Sequence, residues 1–93
     1  MRTIERTKQF KRDYKRLSKG PERDILRGKL AEIVNMLALG NTLPSALRDH
    51  PLSGNWKDHR DCHIRPDLVL IYSNSSKDSL ILARLGSHSE LGL

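Results

Sequence analysis

Apolar residues recur along this chain with two different periods, and the change from one to the other divides it into halves. From Lys8 to Leu17 they fall at Phe10, Tyr14 and Leu17, spaced i, i+4, i+7, which places them on one face of a helix. Thr7 in front of this run is a suitable N-cap. Ser18-Lys19-Gly20-Pro21 interrupts the pattern; glycine suits a helix end and proline the first turn of the next helix. A longer stripe follows at Leu26, Leu30, Ile33, Val34 and Leu37, until Gly40-Asn41 stops it. Glu22 and Asp24 occupy its first turn, where the helix dipole favours carboxylates. Gly28 lies within the stripe, where it costs about 1 kcal/mol relative to alanine, and nothing in the pattern compensates. Ahead of both helices, Arg2 to Arg6 reads as a short strand with Ile4 pointing inward.

The second half changes period. Leu43 to Arg48 allows one more helical turn, and Asp49-His50-Pro51 leads into a loop through Ser53-Gly54-Asn55. From Arg60 to Arg65, Cys62 and Ile64 alternate with Asp61, His63 and Arg65, the period of a strand. Pro66-Asp67 is a tight turn. Leu68-Val69-Leu70-Ile71-Tyr72 is apolar throughout, as expected of a central strand covered on both faces. A loop at Ser73 to Asp78 joins it to a last strand, Leu80 to Leu85, and Gly86-Ser87-His88 leaves the end of that strand. The order β-α-α-β-β-β implies an α+β fold, with a mostly antiparallel sheet and the two N-terminal helices packed on one face. At 93 residues, the chain 1–93 is read as a single domain.

Composition narrows the partners. Seventeen Lys and Arg against eleven Asp and Glu give a net charge of +6, which favours polyanions or an acidic protein. Lys8, Lys11, Arg12, Lys15, Arg16 and Lys19 make the first helix a basic amphipathic one. Aromatic residues make up 4% of the chain, too few for a platform that stacks single-stranded RNA bases. No apolar run reaches the roughly 20 residues needed to cross a bilayer, and no apolar segment follows the N-terminal charges. The one cysteine has no partner for an internal disulfide, which fits a reducing compartment. The expected location is the cytoplasm.

Chemistry is concentrated between His50 and Asp67, which holds three of the four histidines, the only Cys and the only Trp. A metal site is disfavoured by extended spacing: His59 and His63 lie ~13 Å apart along a strand, and Asp61 and His63 ~7 Å. Cys62 and His63 point to opposite faces, which excludes a Cys–His catalytic pair and leaves Cys62 as a small core residue. The expectation is therefore no metal and no cofactor. Metal-free RNA cleavage fits better. It needs a base for the ribose 2′-OH, an acid for the departing 5′ oxygen, and cations around the phosphate. His50, His63 and His88, with Asp67, supply the proton chemistry, since a free imidazole titrates near 6.5; Lys57, Arg65 and Arg84 supply clamps. The alternative is a non-catalytic basic nucleic-acid-binding module or translational repressor acting through the first helix. Such a binder makes no demand for groups that titrate near neutrality.

These residues also carry a resemblance. Asp49-His50-Pro51-Leu52-Ser53-Gly54-Asn55-Trp56-Lys57, Arg60-Asp61-Cys62-His63-Ile64-Arg65-Pro66-Asp67, Leu70-Ile71-Tyr72 and Arg84-Leu85-Gly86-Ser87-His88-Ser89-Glu90-Leu91 resemble the YafQ branch of the RelE-like toxins of bacterial toxin–antitoxin systems, along essentially the whole chain. The resemblance implies a ribosome-dependent endoribonuclease, an mRNA interferase that cuts messenger RNA by metal-independent 2′-OH attack. It implies silencing by a cognate antitoxin, ribosome and mRNA as partners, and contact with operator DNA only through the antitoxin complex. His50, His63, Asp67 and His88 match the family's active site. His88 is expected as general acid, Asp67 or His50 as base, and His63 as a positioning or proton-sharing group. Lys57, Arg65 and Arg84 are expected on RNA phosphate, with Trp56 either a stacking ring for RNA or a buried loop anchor. Two positions depart from the family pattern: Leu68 stands in place of a Trp, and the C-terminal Glu90-Leu91-Gly92-Leu93 lacks a Phe. Both changes remove a ring able to stack on a base.

Overall fold

The computed structural model describes all of residues 1–93. Strand β1 (Thr3–Arg6) leads into helix α1 (Lys8–Leu17). Thr7 caps α1 as its sequence predicts: its hydroxyl accepts the Phe10 N–H at 3.0 Å. The same hydroxyl donates to the Ala83 carbonyl at 2.7 Å, so the cap also ties the helix to the sheet. Phe10 is buried and Tyr14 and Leu17 pack on the core from its edge.

The second predicted helix is continuous but not uniform. It runs as α2 (Arg23–Ile25), a π turn (Leu26–Leu30) and α3 (Ala31–Ala38). Leu26, Leu30, Ile33 and Leu37 are buried along it and Val34 is half-buried. Gly28 sits at the middle of the widened turn, exposed, with nothing within 4 Å of where a Cβ would stand. The glycine is therefore not required for close packing. Gly40 ends the helix at a φ of +80°, a conformation glycine adopts without strain.

The sheet has five strands in the order β1-β5-β4-β3-β2: β2 (His50–Pro51), β3 (Arg60–Arg65), β4 (Leu68–Ser73) and β5 (Ser79–Gly86) complete it. β1 runs parallel to β5 and the other three pairings are antiparallel. The pattern did not predict β2. It is two residues long, and proline removes one ladder donor, which confines such a segment to an edge. Every residue of β4 is buried. Leu68, Leu70 and Tyr72 face the helices, in one cluster with Phe10, Leu26, Leu30, Ile33 and Leu37. Val69 and Ile71 face the other way, against Ala83, Leu91, Leu52 and Trp56. Each fully buried aliphatic side chain contributes about 1.5–3 kcal/mol, so β4 is the spine of the domain.

The second face is covered by a helix that the pattern also missed, α4 (His88–Leu91). Its signature was present as Ser87-x-x-Glu90, a capping box. Ser87 accepts the Glu90 N–H and Glu90 accepts the Ser87 N–H at 2.9 Å. Leu91 then buries against Val69, Ile71 and Ala83. The two N-terminal helices thus cover one face of the sheet, and α4 with the Leu52–Trp56 loop covers part of the other.

Candidate active site

The period-two alternation of β3 decides what faces where. Cys62 and Ile64 enter the core, and Asp61 and His63 point to the α4 side, where they pair in register with Ile71 and Val69. β2 brings His50 opposite Asp61. The entry to β2 is pinned by Asp49, which accepts the Arg60 Nε–H at 3.1 Å and the Tyr72 hydroxyl. His50 Nε2 lies 3.0 Å from Asp61 Oδ1, a close approach whose alignment falls short of a hydrogen bond; that oxygen is buried without a hydrogen-bond partner. Burial, the largest influence, raises the Asp61 carboxyl above its usual range although three histidines pull it down. The His63 ring lies edge-on between two others, 6.4 Å from His50 and 4.9 Å from His88 between centroids. Burial lowers the His63 imidazole below its ordinary value, against the pull of Asp61 and with help from His88 and Arg48.

His88 reaches this cluster from the opposite end of the chain because it opens α4. The first N–H groups of a helix lack internal acceptors, and the Asp67 carboxylate supplies one: Oδ1 accepts the His88 backbone N–H at 3.0 Å and meets His88 Nδ1 at 2.7 Å. These bonds hold the exposed Asp67 carboxyl below its usual range, the backbone bond contributing most. An ionised carboxylate only accepts hydrogen bonds, so Nδ1 carries the proton it shares with Asp67. That fixes the ring's tautomer and leaves Nε2 as the atom able to exchange a proton.

α4 is in turn held by α1. Arg16 pairs with Glu90, the residue that closes the capping box, and its other nitrogen lies 3.6 Å from Asp13. Asp13 is buried on α1, where it accepts Arg84 Nε at 2.8 Å, Arg84 Nη2 at 3.2 Å and the Leu85 N–H at 3.0 Å. Sequence reasoning missed Asp13, though a signal existed. It is the one acid in a helix otherwise basic on its polar faces, and it follows Phe10 by three residues, on the apolar stripe.

The structure therefore gathers His50, His63, Asp67 and His88 on one sheet face, together with Asp61. The expected clamps separate. Arg84 is corrected: its guanidinium is held by Asp13 and is no free clamp. Arg65 is exposed and meets Glu22 at 3.3 Å. Lys57 is exposed after a 3₁₀ turn (Gly54–Trp56). Trp56 packs on the Val69–Ile71–Ala83–Leu91 cluster and edge-on to His59 at 5.3 Å, the contacts of a loop anchor. Cys62 is fully buried, and desolvation pushes its thiol up to about 12.

Extended spacing along β3 does not exclude a metal, contrary to the expectation from sequence, because the third donor comes from β2: the donor atoms of His50, Asp61 and His63 lie within 4.8 Å of one another. Two imidazoles and a carboxylate suit a borderline divalent ion such as zinc or copper, and the buried, unbonded Asp61 oxygen fits that reading.

Fold and site together define a small basic α+β domain with a histidine–carboxylate centre on one sheet face, as expected for a RelE-like toxin. The family described as bacterial toxin of type II toxin–antitoxin system, YafQ, matches residues 2–92. The mRNA interferase toxin YafQ of Escherichia coli K12 is 39% identical over 92 residues, covering 97% of this chain and 95% of that protein. The toxin in the crystal structure of the E. coli DinJ–YafQ complex superposes with a TM-score of 0.83 at 36% identity, covering 98% of both chains. A metal-bound toxin from Helicobacter pylori gives a TM-score of 0.84 at 44% identity, covering 98% of this chain and 99% of that one. The chain belongs to the YafQ family of toxins of bacterial type II toxin–antitoxin systems.

Proposed function

We propose that the protein is an endoribonuclease that cuts messenger RNA on the ribosome by metal-independent attack of a ribose 2′-OH. The observation that carries this is the approach of His88 to His63, 4.9 Å between ring centroids, with Asp67 fixed on His88 Nδ1. Two imidazoles in different electrostatic settings provide a base and an acid for one phosphodiester. His63 is the better base, because its lowered value keeps it neutral at pH 7 and no side-chain hydrogen bond occupies its ring. It removes the 2′-OH proton, O2′ bonds to phosphorus, and the P–O5′ bond breaks. His88 Nε2 donates the proton that the leaving O5′ takes up. The products are a 2′,3′-cyclic phosphate and a 5′-hydroxyl. Asp67 acts as the positioning group for His88, and His50 with Asp61 sets the field around His63. Lys57 and Arg65 offset phosphate charge.

An ion held by His50, Asp61 and His63 would supply Lewis acidity at that corner. It would also take the His63 lone pair that the proton chemistry uses, so bound metal is expected to inhibit. A cognate antitoxin silences the protein, as the DinJ–YafQ assembly suggests by kinship. On the helix side of the sheet, a cavity of about 410 Å³ lies between Phe10 and Tyr14 of α1 and Leu30 and Val34 of the second helix, rimmed by Arg6, Lys11 and Lys15. Its chemistry fits an acidic, amphipathic antitoxin segment. Operator DNA is contacted only through that complex. No helix is long and apolar enough to cross a membrane, and we place the activity in the cytoplasm with ribosomes.

The test is ribosome-directed cleavage of a reporter message with 5′-end mapping, in buffer that keeps the Mg²⁺ ribosomes need and is stripped of zinc and copper. Wild-type protein should cut, and His88→Ala should fall by about 10²–10⁴-fold. Equal cleavage by His88→Ala would refute the reading. Charge reversal at Lys11, Arg12 and Lys15 that abolished activity while His88→Ala stayed silent would instead support a non-catalytic binder.

A further inference from the structure

A second cavity, of about 240 Å³, opens beside the histidine cluster and shares His63 with it. Its other walls bring three cations from separate parts of the chain: Lys29, Arg48 and Arg65. Of these only Arg65 has an acidic partner, Glu22, at 3.3 Å. Pro66, at the turn that carries Asp67, closes one side. Two backbone features converge on this place. Lys29 rises from the π turn at Leu26–Leu30, and such turns, which widen a helix and shift the residues it presents, recur at functional sites. Arg48 ends the 3₁₀ turn at Ser45–Leu47 in the left-handed region, φ 51° and ψ 43°. That conformation is costly for a residue with a Cβ and persists where the surroundings impose it. A concave, mostly polar space lined by three cations, one of them paired with Glu22 outside the lining, is a site for an anion. Two of its walls are guanidinium groups, which match the oxygens of a phosphodiester in pairs.

We propose that this cavity is a second phosphate subsite, which holds the RNA phosphodiester flanking the one attended by His63 and His88. The inference rests on the nuclease reading for its substrate and extends it: Lys29 and Arg48 join Arg65 as residues that set the register of the strand. A scissile phosphate alone leaves an RNA free to slide. A second held phosphate fixes which ribose presents its 2′-OH to His63, and positioning of this kind carries much of a phosphoryl-transfer rate.

The probe is a 2′-O-methyl RNA hexanucleotide, which lacks the nucleophile and cannot be cut, so binding is read without any dependence on cleavage. Its affinity for the whole protein is measured against salt for wild type, Lys29→Gln, Arg48→Gln, Arg48→Lys and a distant control, Lys77→Gln. Lys29→Gln and Arg48→Gln should each weaken binding by roughly 3- to 10-fold, and each should reduce the slope of log affinity against log salt by about 0.7, the value for one phosphate contact on a single strand. Arg48→Lys should recover most of the slope, which separates lost charge from a disturbed turn, and Lys77→Gln should match wild type. NMR shifts on adding the hexanucleotide should include the Arg48 and Arg65 Nε–H groups and the Ala46 and Ile64 amides. Affinity and slope unchanged within twofold in Lys29→Gln and Arg48→Gln, or shifts that bypass these groups, would overturn the subsite. The nuclease reading would survive that result, because its own test is cleavage by wild type against His88→Ala.

Discussion

Replacing Asp13 by alanine should cost this domain a large share of its stability. Asp13 Oδ2 accepts Arg84 Nε at 2.8 Å and the Leu85 N–H at 3.0 Å, and Oδ1 accepts Arg84 Nη2 at 3.2 Å. Truncation leaves the buried Leu85 N–H without an acceptor, worth about 1–3 kcal/mol. It also leaves the Arg84 guanidinium, whose side chain is 23% exposed, without its counter-ion. Breaking a fully buried pair costs about 3–5 kcal/mol, and partial exposure of Arg84 reduces that share. Together the loss should be about 3–5 kcal/mol, against the roughly 5–14 kcal/mol expected of a domain this size. The melting temperature should fall by about 12–40 °C, at about 4–8 °C per kcal/mol. Urea and thermal melts followed by circular dichroism read both quantities. Asp13→Asn keeps one acceptor and should lose less. In an Arg84→Met background the cost of Asp13→Ala should shrink by at least about 1 kcal/mol, the signature of direct coupling. A loss below about 1 kcal/mol, or an unchanged loss beside Arg84→Met, would refute the assignment of Asp13 as the tie between α1 and β5.

Further outcomes follow from the same geometry. Removing the N-cap with Ser87→Ala should cost about 1 kcal/mol and broaden the His88 ring signals in NMR, whereas sharp, unmoved signals would contradict the role given to the capping box. Gly28→Ala should stabilise by about 0.5–1 kcal/mol, since helix propensity improves and the space beside it is open; a destabilised variant would show that the π turn needs glycine. The lowered His63 value means that the folded state favours the neutral ring: this contribution is complete above the ordinary value near 6.5 and is lost as pH falls through the lowered folded value. Denaturation of His63→Gln should therefore vary less with pH across that window than wild type does. Asp61 has the opposite sign. Its raised value gives stability that is full below the ordinary value near 3.9 and lost as pH rises through the folded value, so Asp61→Asn should stabilise the protein at pH 7, and a destabilised Asn variant would count against the burial argument. Zinc or copper should inhibit cleavage, and EDTA added only in the amount of that ion, with Mg²⁺ kept in excess for the ribosomes, should restore it, which cleavage assays with each ion will check.

The fold was legible where periodicity was sustained. Phe10, Tyr14 and Leu17 marked α1, the stripe from Leu26 to Leu37 marked the second helix, and the apolar run from Leu68 to Tyr72 marked the strand covered on both faces. Shorter elements escaped. β2 has two residues, one of them Pro51, too few for a period to show. α4 has four, and only the Ser87–Glu90 spacing announced it. The convergence of His50, His63 and His88 depends on pairings across β2, β3 and β5, which local pattern does not encode; titration chemistry and the family resemblance both named the three together, and neither gave the contacts that join them. The same limit explains the misplacement of Arg84. A lone arginine at a strand end reads as a free cation until tertiary structure brings Asp13, 71 residues earlier, against it. The reckoning of donor distances along one strand failed similarly, because the third donor, His50, arrives from the neighbouring strand.

The most direct test of the acid–base centre is a message whose scissile linkage carries sulfur in place of the 5′-bridging oxygen. Thiolate leaves without a proton, so a general acid becomes dispensable. His88→Ala should be slow by about 10²–10⁴-fold on the oxygen message and return to near the wild-type rate on the sulfur one, while His63→Ala stays slow on both. A His88→Ala protein that remained equally slow with sulfur as the leaving atom would contradict proton donation by His88.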